Sequence, residues 1–162
     1  MYALRTSAYI WTDPTLQKMD RKLTRLGVTL IDCPWETFEY LEDDPDHFTH
    51  AGFLQFSDWL VQMLINREIL SVLIMSDSTI DFWNYNDEGR RSGRAHRHLY
   101  CKMREKGIEG RLDTVCGSGY VCEPTFAQRY SKCDYSECLV IGGWNDVGST
   151  FLMQAVVDFW KH

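Results

Sequence analysis

The run "LSVLIM" at residues 70 to 75 is almost uninterrupted apolar sequence. A strand with one face in water alternates apolar and polar side chains, so a continuous run of this kind suits a central strand of a parallel sheet, covered on both faces. Apolar strand-like runs of this sort alternate with helical patterns along the whole chain, which predicts the α/β class.

The first candidate strand is "YALRTSAYI" at 2–10. "TDPTLQKMDRKLTRLG" follows as a helix, with Asp13 as N-cap, Pro14 at the first helical position and Gly27 as its stop. Leu16, Met19, Leu23 and Leu26 share one face of that helix. "VTLIDC" at 28–33 is β-rich; after a loop, "THAGFLQFSDWLVQMLI" reads as a helix begun by Thr49, with Phe53, Phe56, Leu60 and Leu64 on its buried side. "NREI" leads into the central run, and the polar stretch "NYNDEGRRSGR" at 84–94 carries no readable structure. Beyond it come a helix in "AHRHLYCKMREKG" ending at Gly107, a strand in "RLDTVC", and a short helix in "PTFAQRYSK". A strand in "ECLVIGG" and a closing helix in "STFLMQAVVDFW", capped by Ser149 or Thr150, complete the chain. Five strands separated by helices predict a five-stranded parallel sheet in a three-layer αβα sandwich, because right-handed crossovers lay the helices on both faces.

At 162 residues and 44% hydrophobic, the chain fits a single domain, 1–162, with a sizeable core. A formal net charge of −6 disfavours whole-surface attraction to nucleic acid or an anionic membrane. The N-terminal "MYALRTSAYIW" lacks the pattern of a signal peptide, and no segment reaches 18 uninterrupted apolar residues, so a cytoplasmic, membrane-free protein is expected. Six cysteines, Cys33, Cys101, Cys116, Cys122, Cys133 and Cys138, form no CxxC pair and are expected as free thiols. Cys122, Cys133 and Cys138 lie close enough in sequence for a loop disulfide in an oxidising compartment. No zinc spacing, Walker loop or dinucleotide fingerprint is present, and no metal or cofactor is expected.

Ligands of parallel α/β sheets bind at the carboxyl ends of the strands. Polar signatures fall at the expected ends: "SDS" (76–78) after "LIM", "GSG" (117–119) after "TVC", "WND" (144–146) after "VIGG", and "DPDH" (44–47) in the loop beyond "VTLIDC". Taken jointly, "SDS", "GSG", "GWND" (143–146) and "DPDH" resemble the nucleophile, glycine, Asn and Asp-x-x-His blocks of the SGNH hydrolases, the GDSL esterase and lipase superfamily. The resemblance implies a flavodoxin-like SGNH fold and a serine esterase working through an acyl-enzyme. Ser78 would be the nucleophile, His47 its general base and Asp44 the carboxylate that orients the imidazole. The oxyanion hole would be the backbone N–H of Ser78, that of Gly119 and the side-chain amide of Asn145, with Gly117 competing for the glycine role. His50 rivals His47, Asp43 and Asp46 rival Asp44, and Asp146 reads as structural.

The blocks stand in an unusual order, since residues 1–66 carry the Asp-x-x-His block and residues 70–162 the Ser, Gly and Asn blocks. The resemblance therefore implies a circularly permuted fold, with "NREI" joining the usual ends and Met1 near His162. A permuted start also allows the first half to exchange between two chains, giving a homodimer. Ser76 departs from the family by standing where glycine is common. The substrate implied is a small acyl ester, with an acetyl group on a carbohydrate as one form, and acyl transfer to another acceptor uses the same site. Trp83 and Tyr85, just past the nucleophile, are candidates to line an acyl or sugar pocket. The competing reading is a catalytically silent module of the same fold that uses the basic 90–106 segment for an anionic partner. A third is a thiol enzyme using Cys116 or Cys122.

Overall fold

The computed structural model describes residues 1–5, 14–86, 88–130, 135–142, 144–146 and 152–161. The proposed caps Asp13, Ser149 and Thr150, together with Gly143, Cys133 and His162, lie outside the described residues.

Five strands form one all-parallel sheet: β1 (Tyr2–Leu4), β2 (Thr29–Ile31), β5 (Ser71–Ser76), β6 (Glu109–Thr114) and β7 (Glu137–Ile141). Their spatial order is β2-β1-β7-β5-β6. Between β2 and β5 lies a short antiparallel hairpin of β3 (Tyr40–Leu41) and β4 (Asp44–Phe48), where the sequence suggested a loop. Pro45 makes "DDPDH" read as a turn, but an edge strand tolerates a residue without an N–H. The main helices are α1 (Pro14–Arg25), α2 (His50–Asn66), α4 (Arg94–Glu105) and α6 (Leu152–Trp160); α3 (Ser78–Asp81) and α5 (Phe126–Arg129) are single turns.

The central run behaves as its composition requires. Val72 and Ile74 of β5 pack into one core with Leu139 and Ile141 of β7, Phe56, Leu60 and Leu64 of α2, and Leu99 and Met103 of α4. Leu73 and Met75 point the other way, into a second core with Cys138, Val140, Leu23 of α1, Phe126 of α5 and Val156 of α6. Neighbouring side chains of one strand thus enter opposite cores, and the protein is a three-layer αβα sandwich with α2 and α4 on one face and α1, α5 and α6 on the other.

From β5 the chain passes to its outer neighbour β6, then crosses back over β5 to reach β7 on the other side. The gap between the carboxyl ends of β5 and β7 is therefore the point where strand order reverses, the position at which parallel sheets open a crevice. At the opposite, amino end, the Met1 ammonium pairs with Glu137 of the adjacent strand at 2.7 Å. Among the described residues no helix is long and apolar enough to cross a membrane.

Candidate functional site

Ser78 is the first residue of α3, directly beyond β5. Asp77 caps that turn: its buried carboxylate accepts from the Thr79 N–H at 2.9 Å and from the Thr79 hydroxyl at 2.7 Å. Room for this carboxylate comes from the next strand. Gly142, at the end of β7, has φ +142°, and a Cβ there would collide with Asp77. Because Ser78 opens the helix, no residue of that turn accepts its own N–H, and the N–H has no partner among the described residues.

Asp44 and His47 both lie on β4, where the hairpin is held by aromatic packing. Phe48 is buried against Phe56 of α2 at a centroid separation of 5.1 Å, with Phe38 edge-on to both at 5.7 Å. His47, next to Phe48, has its ring stacked on Phe82 at 4.4 Å, the residue that follows the Ser78 turn. Its Nδ1 is 2.7 Å from Asp44 Oδ2. A carboxylate can only accept, so Nδ1 carries the proton and Nε2 is left as the basic nitrogen. Asp44 is thus the carboxylate that meets His47, whereas His50 lies edge-on to Trp83 at 5.6 Å. The turn bearing Ser78 packs against β4. No hydrogen bond joins the Ser78 hydroxyl to His47 among the described residues.

Asn145 follows β7 in a single 3₁₀ turn, Trp144–Asp146. Its side-chain amide donates one hydrogen to Ser118 O at 2.9 Å, and the second hydrogen has no partner among the described residues. Asp146 is structural, as expected: its buried carboxylate accepts from the N–H groups of Tyr120, Val121 and Cys122 at 2.5, 2.9 and 3.0 Å. Gly119 is required by that arrangement, because a Cβ would overlap the Asp146 carboxylate. The Gly119 N–H, however, already donates to Cys122 O at 3.0 Å. The Gly117 N–H has no partner among the described residues, so of the two glycines Gly117 is the one with a free donor.

Two residues that the sequence did not single out hold these loops together. Arg129 of α5, largely buried, donates to Ser76 O, Asp113 O, Asp113 Oδ1 and the Ser118 hydroxyl at 2.8 to 3.2 Å, joining the ends of β5 and β6 to the glycine loop. Asp81, fully buried at the end of the turn that Ser78 begins, accepts from Asn84, Arg91 and Thr114 on one oxygen and from the Cys116 N–H on the other. Burial alone would raise its pKa; the hydrogen bonds from Asn84, Cys116 and Thr114 and the charge of Arg91 outweigh that and hold it below the usual carboxylate range. Neither residue stands in a recognisable spacing. Their importance arises only when separate strand ends are brought together.

Burial pushes the Cys116 thiol up to about 12, with the Asp81 charge adding to it, and burial followed by Asp146 raises Cys122. Both are kept as thiols at neutral pH, which is adverse to a thiolate nucleophile. Cys33, Cys101, Cys116 and Cys122 are free thiols. The basic 90–106 segment is partly internally neutralised: Arg91 turns inward to Asp81 at 3.0 Å, Arg90 lies 3.4 Å from Glu88, and Lys102 pairs with Asp58. Among the described residues no three His, Cys, Asp or Glu side chains are grouped to hold a metal.

Compared with known proteins, the chain matches no protein-family model, and no curated protein or solved structure is significantly similar to it.

Proposed function

We propose that the chain is a serine esterase of the SGNH type that hydrolyses small acyl esters through an acyl-enzyme, acetyl groups on carbohydrate being one substrate class. The observation that carries this reading is the Asp44–His47 pair, with Nε2 left basic, on a hairpin packed against the turn that bears Ser78. In this reading the Ser78 hydroxyl attacks the ester carbonyl and passes its proton to His47 Nε2, while Asp44 stabilises the imidazolium. His47 then protonates the departing alcohol, and water attacks the acyl-enzyme by the same route in reverse. Another alcohol in place of water would make the chain an acyltransferase. A serine–histidine hydrogen bond often tightens only when substrate excludes water, so its absence without ligand is compatible with this role.

The developing oxyanion would be met by the N–H of Ser78, the second amide hydrogen of Asn145 and a glycine N–H. We assign that glycine role to Gly117, whose donor is free, and leave Gly119 the task of admitting Asp146. The strand order adds support: counted cyclically from β5, the sheet order becomes 2-1-3-4-5, the flavodoxin-like arrangement, as a permuted SGNH chain requires.

A fluorophosphonate probe with peptide mapping tests the proposal. The expected result is a single adduct on Ser78, lost in Ser78→Ala and strongly slowed in His47→Gln. Absence of any adduct, accompanied by salt-sensitive binding to heparin, would instead favour the silent module and its basic segment.

A further inference from the structure

A cavity of about 410 Å³ opens between the amino ends of α2 and α4, lined by His50, Phe53, Leu54, Trp83, Arg94, Ala95 and His98. Its position is set by two helices that both begin there, 17 and 12 residues long, so two positive dipole ends converge on it. The Ala95 N–H, on the second residue of α4, has no partner among the described residues. Gly93 caps that helix without a side-chain hydrogen bond.

The side chains add to the same preference. The Arg94 guanidinium has no carboxylate partner among the described residues. Asp58, the acidic group that acts on His98 among the described residues, is engaged by Lys102. His50 and His98 contribute nitrogens from opposite helices. Two nitrogens of wall residues, Trp83 Nε1 and His98 Nε2, are buried with no hydrogen-bond partner. Folded proteins rarely leave such groups unmet, and a ligand acceptor reaching the Trp83 N–H would remove its cost. Phe53, Leu54 and the face of Trp83 supply the apolar remainder.

We propose that this cavity binds a small oxyanion, carboxylate or phosphate, carried on a flat apolar body such as an aromatic ring. The anion would sit at the two helix starts between Arg94, His50 and His98, with the ring against Trp83. The site uses none of Ser78, His47 or Asn145 and stands independently of the esterase reading. It is nevertheless close to that region, because Phe82 contacts His47 at 4.4 Å and Trp83 at 5.3 Å.

Titration of ¹⁵N-labelled protein with phenyl phosphate tests the proposal, following the Trp83 indole N–H resonance assigned through Trp83→Phe. The expected result is a saturable shift of that resonance, with binding weakened roughly tenfold by Arg94→Gln and also weakened by His50→Gln. Benzoate should shift the same resonance, whereas phenol and inorganic phosphate should each bind more weakly than phenyl phosphate. Ser78→Ala should leave the affinity unchanged. No saturable shift, an affinity indifferent to both Arg94→Gln and His50→Gln, or equal binding of phenol would overturn the proposal. Loss of binding in Ser78→Ala would overturn it too, by moving the ligand to the hydrolytic centre.

Discussion

Two glycine positions are fixed by carboxylates that fill the space a side chain would need. Asp77 occupies that space at Gly142 and Asp146 occupies it at Gly119. Gly142→Ala should therefore destabilise the protein by roughly 2 to 3 kcal/mol in urea unfolding, since the added methyl meets a buried carboxylate that cannot move without losing its cap. The effect belongs to stability first and to Ser78 second, through the turn that Asp77 caps. Asp44 gives the opposite separation of effects. It is part-exposed, so Asp44→Asn should leave unfolding nearly unchanged, yet in the esterase reading it should lower kcat by about 10⁴-fold, because an amide no longer holds the Nδ1–H tautomer. Ester turnover and urea curves measured on the same preparation check both halves. Asp44, Gly119 and Asp146 were legible as residues of interest because short Ser, Gly and Asp patterns fell at predicted strand ends, whereas Asp77 and Gly142 were not singled out. The division of labour between Gly117 and Gly119 was not legible, since two glycines in one tripeptide differ only in where their N–H groups point.

Elements carry the next set of constraints. Thr49 was identifiable as the start of α2 from its place before an apolar-periodic run, and its hydroxyl does accept from the Gly52 N–H at 3.0 Å. Thr49→Ala should cost about 1 kcal/mol in the same unfolding assay. The polar stretch before α4 is held by a Tyr85–Arg91 backbone bridge and by side-chain hydrogen bonds that reach distant segments. Asn84 Oδ1 accepts the His96 N–H at 3.0 Å, and the Thr114 hydroxyl, which donates to Asp81, lies 2.6 Å from His96 Nε2. That hydroxyl has its hydrogen committed, so His96 Nε2–H is the donor. Burial, then the Arg91 charge, lowers the His96 pKa below its ordinary 6.5. The folded state thus favours the neutral ring. Its contribution is complete above pH 6.5 and shrinks as pH falls below that value, where the unfolded chain takes up the proton more readily. His96→Gln keeps a donor for Thr114 without a titrating group, so the stability difference between pH 7.5 and pH 5.5 should be smaller in the variant. A difference as large as in the parent would count against this assignment. Such a network is invisible in sequence because the links that His96 and Thr114 make span 12 to 33 positions.

At the scale of the whole molecule, the reversal of strand order between β5 and β7 brings together the loops after β5, β6 and β7, and the β3–β4 hairpin packs on the first of them. If the chain is a permuted form, moving its ends should be tolerated. A variant beginning at residue 70, with 162 joined to 1 by a flexible Gly/Ser linker, should fold with a melting temperature within a few degrees of the parent and keep its reaction with fluorophosphonate. Cutting instead within β5 should abolish folding. The sequence by itself determined the class of fold, because apolar runs without a polar face require cover on both sides, and it determined most helices, because caps and 3.6-residue periodicity are local properties. It also nominated Ser78, His47, Asp44 and Asn145, each within a few residues of an element end. Only the tertiary structure decided strand order, the hairpin under His47, the pairing of Asp44 with His47, the roles of Arg129 and Asp81, and the cavity between α2 and α4. Each of these depends on contacts between segments distant in the chain, whose energies appear only when burial and hydrogen bonding are satisfied together.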